Sequence, residues 1–410
     1  MLDNPAPAAR SATSLVSTEP IYDESTPWRI NAALQLYTEI ARRGGWPSLP
    51  KDAKLGPGSI GPDVAVLRRR LAITGDLDPA LQAGETYDAA LVAAMKRFQA
   101  RHGLTETGSV GPLTITALNI PVETRLRQLT GSLERLQGTS FIFGQRYVVV
   151  NIPAATVEAI ADGKVERRHV AVVGKPERPS PTLTTTIRAI NLNPTWTVPL
   201  SIVKKDIVPK MRKDPAYLAR MHMRLLDASG NEISPSEVDW HADRAPAYTI
   251  RQDAGAWNSL GAVRIDMPNP HSVYLHDTSH KNLFNADMRF HSSGCARVEN
   301  PRDLAAWLLQ DNEGWGRREI DAVITTGERK DIRLARTVPV AWIYLTGWGT
   351  SDGTVQFRPD LYGHDEAPVK PFMVSQPKPL ITAAAAGGFV LQSGESRPAR
   401  IEEVSYLDSQ

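Results

Sequence analysis

The sequence predicts a multidomain α+β protein, helical in its first third and mostly β thereafter, with a helical insertion in the β part. Three observations carry that reading. Apolar residues recur at helical spacing from about residue 26 to 139, then at the two-residue period of strands. Gly-Pro pairs at 56, 61 and 111 punctuate residues 55–120 into short helical segments. A chain of 410 residues exceeds what one core usually holds, which suggests two or three domains.

Residues 1–25 are rich in Ala, Pro, Ser and Thr without periodicity and are expected to be a flexible segment, as are residues 366–410. Thr26-Pro27 supplies a cap and a first helical position, and Leu34, Tyr37 and Ile40 recur until Gly44-Gly45, so 26–54 holds one helix. Residues 55–120 read as a three-helix module. Its first helix opens at Pro62 with Val64, Leu67 and Leu71 inward; its second starts near Tyr87 with Leu91, Met95 and Phe98 inward; its third is "GPLTITALN". A connecting helix over 121–139 places Leu126, Leu129, Leu133 and Leu136 on one side. Within 140–365 the runs "YVVVNI", "ATVEAI", "VERRHVAVVG" and "LTTTIRAINL" are strand-like, with Asp162-Gly163 as a hairpin turn. An insertion at about 201–250 turns Ile202, Ile207, Met211 and Leu218 inward, and strands resume at "GAVRIDM", "HSVYLH", "IRLARTVPVAWIYLTGW" and "TVQFRP".

Composition narrows the function classes. Lys and Arg number 47 against 45 Asp and Glu, and a balance of +2 gives no case for nucleic acid as a partner. No apolar run approaches the roughly 18 residues of a membrane span, and no signal peptide is visible at the start. The single cysteine, Cys295, excludes an internal disulfide and cysteine-based zinc sites. It sits in "FHSSGCARV", after the small residues Ser292, Ser293 and Gly294 and before Arg297. That polar turn suits an accessible thiolate, whereas a structural cysteine sits among apolar neighbours.

His271, His276, His280 and His291 lie near it in sequence. His276 and His280 have zinc-ligand spacing only if helical, but they follow a β-rich run and lack a third ligand, so neither metal nor organic cofactor is expected. A thiol nucleophile with a histidine partner fits better, since an imidazole that takes the thiol proton makes sulfur a strong nucleophile. His276 precedes Cys295 by 19 residues, the reverse of the papain-like order.

Two resemblances give these residues context. "DVAVLRRRL", "FQARHGL" and "TGSVGPLTITAL" resemble the peptidoglycan-binding domain 1 family, with Arg68 where the family usually has Gln and a longer "GDLDPALQAGE" between helices. "LHDTSHKNLFNADMRFHSSGCARVENP" resembles the active-site signature of the L,D-transpeptidases of YkuD type. Asp277 replaces the usual glycine and Ser293 the usual histidine, as in the large YcbB-like members. "NPTWTVPLSI", "RQDAGAWNSLGAVRIDMPN" and "DGTVQFRPDLYGHD" agree with that subgroup. The resemblance implies a mostly β L,D-transpeptidase domain over 140–365 with a helical lid at about 201–250.

It further implies that Cys295 attacks the carbonyl of the third residue of a peptidoglycan stem, releasing D-alanine and leaving a thioester, with His276 as base and acid. The Asp277 carbonyl would orient His276, and the N–H groups of Gly294 and Cys295 would hold the oxyanion. Arg297 would bind a substrate carboxylate or brace the turn. Ser292, Ser293, Trp196 and Asn258 are further candidates for the substrate wall, with packing or turn roles as the alternatives. Carbapenem β-lactams are implied as covalent inhibitors. A periplasmic or envelope location is expected, with export by a signal or anchor outside this sequence. Hydrolysis of the same thioester, making an L,D-carboxypeptidase, and a non-catalytic wall-binding protein are the competing readings. Oligomeric state is left open.

Overall fold

The computed structural model describes residues 17–242 and 248–366. Helix α1 (Thr26–Arg42) has Pro27 in its first turn and buries Ile30, Ala33, Tyr37 and Ile40 on one stripe. The module follows as α2 (Pro62–Ile73), α3 (Ala89–Arg101) and α4 (Pro112–Leu118). Asp88 caps α3 by accepting the Leu91 N–H at 2.9 Å. Leu67, Leu71, Leu91, Met95, Phe98 and Leu118 are fully buried between the three helices. Connecting helix α5 (Val122–Gln137) buries Leu129, Leu133 and Leu136, and this stripe packs with that of α1.

The β part is one nine-stranded sheet. Its strands are β1 (Arg146–Asn151), β2 (Thr156–Ala161), β3 (Lys164–Gly174), β4 (Leu183–Leu192), β9 (Val263–Asp266), β10 (Leu275–His276), β11 (Phe290–Ser292), β12 (Ala296–Val298) and β13 (Lys330–Ile343), in the order β11-β3-β12-β10-β9-β4-β13-β1-β2. β3 pairs with β2 along its first half and with β12 and β11 along its second, so the circuit closes on itself. The β2–β3 turn has Asp162 and Gly163 at φ 49° and 72°, the left-handed pair that a two-residue hairpin needs. One face of the sheet packs Val148, Ile190, Ile265, Leu275, Ala296 and Trp342 against Leu304 and Leu308 of α6 (Pro301–Leu308), with Ile320 of α7 (Arg317–Thr326). On the other face Val149, Ala341 and Ile343 meet α1, α5 and the hairpin β14 (Gly347–Gly349) and β15 (Val355–Phe357).

The insertion has its own small sheet, β5 (Trp196–Thr197), β6 (Met223–Leu226), β7 (Glu232–Ile233) and β8 (Thr249–Gln252), in the order β5-β8-β6-β7. Helical turns over 200–211 and 217–220 pack Val203, Ile207, Met211 and Leu218 against it. Its base is the β5–β8 pairing, Trp196 opposite Gln252.

One sequence expectation needs correction. Residues 17–25 are not a loose extension: Ile21 and Tyr22 are buried, and the Ile21 N–H donates to Glu158 Oε2 at 2.9 Å. Glu158 is itself fully buried and held by Arg168 Nε at 2.7 Å, so the segment ends in a charged anchor that apolar periodicity does not reveal. The remainder of both expected tails, 1–16 and 367–410, lies outside the described residues.

Candidate active site

Strand register builds the site. β10 and β12 run parallel as neighbours, with Leu275 opposite Ala296 and His276 opposite Arg297. On the other side of β10, His276 lies opposite Arg264 of antiparallel β9. Leu275, Ala296 and Ile265 point into the core and are fully buried. Alternation therefore turns Tyr274, His276, Arg264, Cys295 and Arg297 to the opposite face. Cys295, two residues before the partner of His276 in the ladder, is its diagonal neighbour there.

His276 is buried, and its Nδ1 donates to the Asp277 carbonyl oxygen at 2.5 Å. That bond fixes the neutral tautomer with Nε2 as acceptor. Burial, helped by the charges of Arg297, Arg264 and Lys281, pushes the imidazole down to about 3, while the Asp277 carbonyl opposes the shift. Burial pushes the Cys295 thiol up to about 11 against the Tyr274 backbone N–H, Arg264 and Arg297. The pair is thus a neutral thiol beside a neutral imidazole.

The Asp277 side chain has a different task. Its Oδ2 accepts the Ala262 N–H at 2.9 Å and its other oxygen holds Lys281. A Cβ on Gly261, where φ is +58°, would lie 2.4 Å from the Asp277 carboxyl carbon. Glycine at 261 is what lets this carboxylate brace the start of β9.

The turn before Cys295 corrects one expectation. The Gly294 N–H, expected to hold an oxyanion, donates to Ser292 Oγ at 3.2 Å and is engaged within the turn. Ser292 Oγ in turn donates to the Cys295 carbonyl at 2.5 Å and is buried, which makes it a brace of the turn. Gly294 adopts φ +116°, and its carbonyl accepts from Ser180 Oγ at 2.7 Å. Ser293 is exposed and accepts from Arg178 Nη1 at 3.0 Å. Arg178 also grips Asp206 of the insertion through both guanidinium nitrogens, Nη2 to Oδ1 at 2.9 Å and Nη1 to Oδ2.

Arg297 forms no hydrogen bond among the described residues, and its Nε is buried without an acceptor. Its charge acts on the thiol, and no carboxylate lies within ion-pair distance of it among the described residues. Trp196 is half-buried at the base of the insertion, with its indole N–H facing the Tyr274 hydroxyl, so it joins the site through Tyr274. Asn258 does not join it. It is fully buried, its amide donates to Pro194 O at 3.1 Å and Asp253 O at 2.8 Å, and its oxygen accepts the Leu260 N–H at 2.7 Å. His280 and His291 are exposed, bonded to Ser279 and to the Met288 carbonyl.

Sequence reasoning missed Tyr274, Arg264, Arg178 and Ser180. The proline-spaced run "GKPERPSP" at 174–181 was the available signal for the last two, since such spacing between strands marks a rigid turn.

Residues 145–333 match the L,D-transpeptidase catalytic domain model. The chain carries an L,D-transpeptidase catalytic domain. Ahead of this L,D-transpeptidase domain, residues 60–118 match a putative peptidoglycan binding domain. A "putative L,D-transpeptidase" of Haemophilus influenzae is 33% identical over 219 residues, which is 53% of this chain and 44% of the relative. The chain thus spans less than half the length of that relative. Similar solved structures include L,D-transpeptidases of Stackebrandtia nassauensis and Xylanimonas cellulosilytica. The first is 12% identical, with 72% of this chain and 97% of that one covered at a TM-score of 0.26. The second is 17% identical, with 72% and 98% covered at 0.20.

Proposed function

We propose that this chain transfers a peptidoglycan stem peptide from its terminal D-alanine to the side-chain amine of a neighbouring stem, through a thioester on Cys295. The observation that carries the reading is the shared sheet face on which His276, with Nδ1 held by Asp277 O, lies diagonal to Cys295 and opposite Arg297. Substrate binding displaces water, and the thiol proton passes to His276 Nε2 as sulfur bonds to the third-residue carbonyl carbon. The Cys295 N–H receives the developing oxyanion. Collapse returns that proton to the departing nitrogen, so D-alanine leaves as a neutral amine and the acyl group stays on sulfur. The acceptor amine then gives its proton to His276 as it attacks, the C–S bond breaks, and the thiol is restored. Arg297 receives a carboxylate of the substrate.

Water in place of the acceptor amine gives the hydrolytic reaction, an L,D-carboxypeptidase, from the same intermediate. Carbapenems, whose strained carbonyl mimics the donor, would acylate Cys295. Stem peptides lie outside the cytoplasmic membrane, so the same reading puts the protein in the periplasm or envelope. The test is incubation of purified protein with a disaccharide-tetrapeptide, followed by mass analysis of products. Cross-linked dimer with released D-alanine supports transfer, and tripeptide alone supports hydrolysis. Neither product from the wild type, with the module still bound to isolated wall, would move the chain to the non-catalytic reading. Cys295→Ala should abolish turnover, and His276→Ala should lower it about 100-fold or more.

A further inference from the structure

A cavity whose lining includes none of Cys295, His276 and Arg297 lies in the seam between the three-helix module and the catalytic domain. Its volume is about 330 Å³, within the roughly 300–1,000 Å³ of small-ligand sites, and such sites favour domain interfaces. The module supplies Leu104, Leu113 and Ala117, the catalytic domain supplies Ala154, Ala155 and Val170, and Phe357 of β15 closes the floor. Leu113 and Met288 line the mouth and are 43% and 37% exposed, large apolar side chains that the fold leaves in water.

Against these apolar walls stand the guanidinium groups of Arg125 and Arg358, which have no carboxylate partner among the described residues. Arg125 is only 2% exposed, and its hydrogen bonds go to Gln128 Oε1 at 2.8 Å and Ala117 O at 3.0 Å. Arg358 Nη1 donates to the carbonyls of Arg101 at 3.0 Å and Phe357 at 2.7 Å. No carboxylate lies within ion-pair distance of either among the described residues. Arg358 reaches the seam only because residue 103 is glycine: at φ +67°, a Cβ there would fall 2.6 Å from its Nε. Arg289 also lines the wall, where it donates to Ala154 O at 3.2 Å. The one carboxylate lining the cavity, Asp287, is on the exposed rim and accepts from Thr105 Oγ1 at 2.8 Å. Burial holds both Arg125 and Arg358 down to about 9, the cost of cations kept from water with no anion nearby. A carboxylate entering the cavity would offset that cost.

We propose that the seam cavity binds a short acidic peptide, the alanyl-glutamyl portion of a peptidoglycan stem, with its carboxylate on Arg358 and Arg125 and its methyl-bearing part against the alanine and leucine walls. The peptide's identity rests on the cell-wall reading above; the need for a carboxylate does not. The site is separate from the thiol, so the module contributes half of a peptide site as well as its own surface.

Calorimetric titration of the full chain with L-alanyl-γ-D-glutamate, which lacks the third residue and cannot acylate Cys295, tests this beside the dipeptide's bis-amide. The expected result is saturable binding of the dipeptide, about tenfold or more weaker for the bis-amide and for Arg358→Gln, and lost in Ala117→Phe, which fills the cavity. Acylation of Cys295 by a carbapenem, followed in parallel, should be unchanged in both variants, which also shows that they fold. If Arg358→Gln does not fold, the bis-amide and Ala117→Phe decide. No binding of the dipeptide, equal binding of the bis-amide, or binding that survives Ala117→Phe overturns the proposal. A wild type that binds the dipeptide but is never acylated would sink the thioester reading and leave the seam site standing.

Discussion

At the scale of single residues, the site rests on two groups driven to their neutral forms. Because the His276 pKa is depressed to about 3, the acid limb of kcat/KM should fall near 3 and leave no inflection at the ordinary 6.5. Because the thiol is raised to about 11, alkylation of Cys295 by iodoacetamide should climb with pH toward 11 instead of levelling above 9. A rate profile across pH, read by intact mass, checks both. Stability follows the same sign: the unfolded chain takes up the imidazole proton near 6.5 and the folded chain near 3. The contribution of His276 is therefore whole above 6.5 and is lost as pH falls toward 3. His276 and Cys295 were legible because residue type, order and spacing are properties of the sequence. The engagement of the Gly294 N–H by Ser292 was not, since it depends on how the turn folds back on itself. Asn258 looked like a wall residue because it is polar in a glycine-rich loop, and only its three hydrogen bonds reveal an internal brace.

At the scale of elements, the loop between β3 and β4 connects the Cys295 turn to the insertion. Arg178 bridges Ser293 and Asp206, and Asp206 sits in the π-helical turn Val203–Ile207, a local irregularity often found where helices serve function. Arg178→Gln should lower kcat/KM about tenfold through KM while leaving the thermal midpoint nearly unchanged, since a partly exposed ion pair contributes about 1 kcal/mol or less. An equal loss from Asp206→Asn, with no further loss in the double variant, would mark one shared device. Long amphipathic elements such as α1 and α5 were legible from their apolar spacing. Two-residue strands such as β5 and β7 left no period, because so short a pairing is set by its neighbours. For the same reason the sequence reads the insertion as helical, whereas its base is a small sheet.

At the scale of the whole molecule, a buried arginine of the module reaches across to the catalytic domain. Arg101, the last residue of α3, pairs with Asp76 at 2.6 Å with both side chains nearly inaccessible, and also donates to Val355 O of β15 at 3.2 Å. Asp76→Ala would leave Arg101 buried among Arg70 and Arg125, and chemical denaturation should report a loss of about 3–5 kcal/mol. A cross-domain bond such as that from Arg101 to Val355 O is absent from any local pattern, which is why the modules were legible one by one and their fusion was not. The central claim remains chemical, that Cys295 carries the acyl group. Intact mass after incubation with a carbapenem or a disaccharide-tetrapeptide tests it most directly, with Cys295→Ala and His276→Ala in parallel. A single adduct on the wild type, none without Cys295 and a slower one without His276 is the predicted result. An adduct that survives Cys295→Ala, or no adduct and no D-alanine from the wild type, would contradict it.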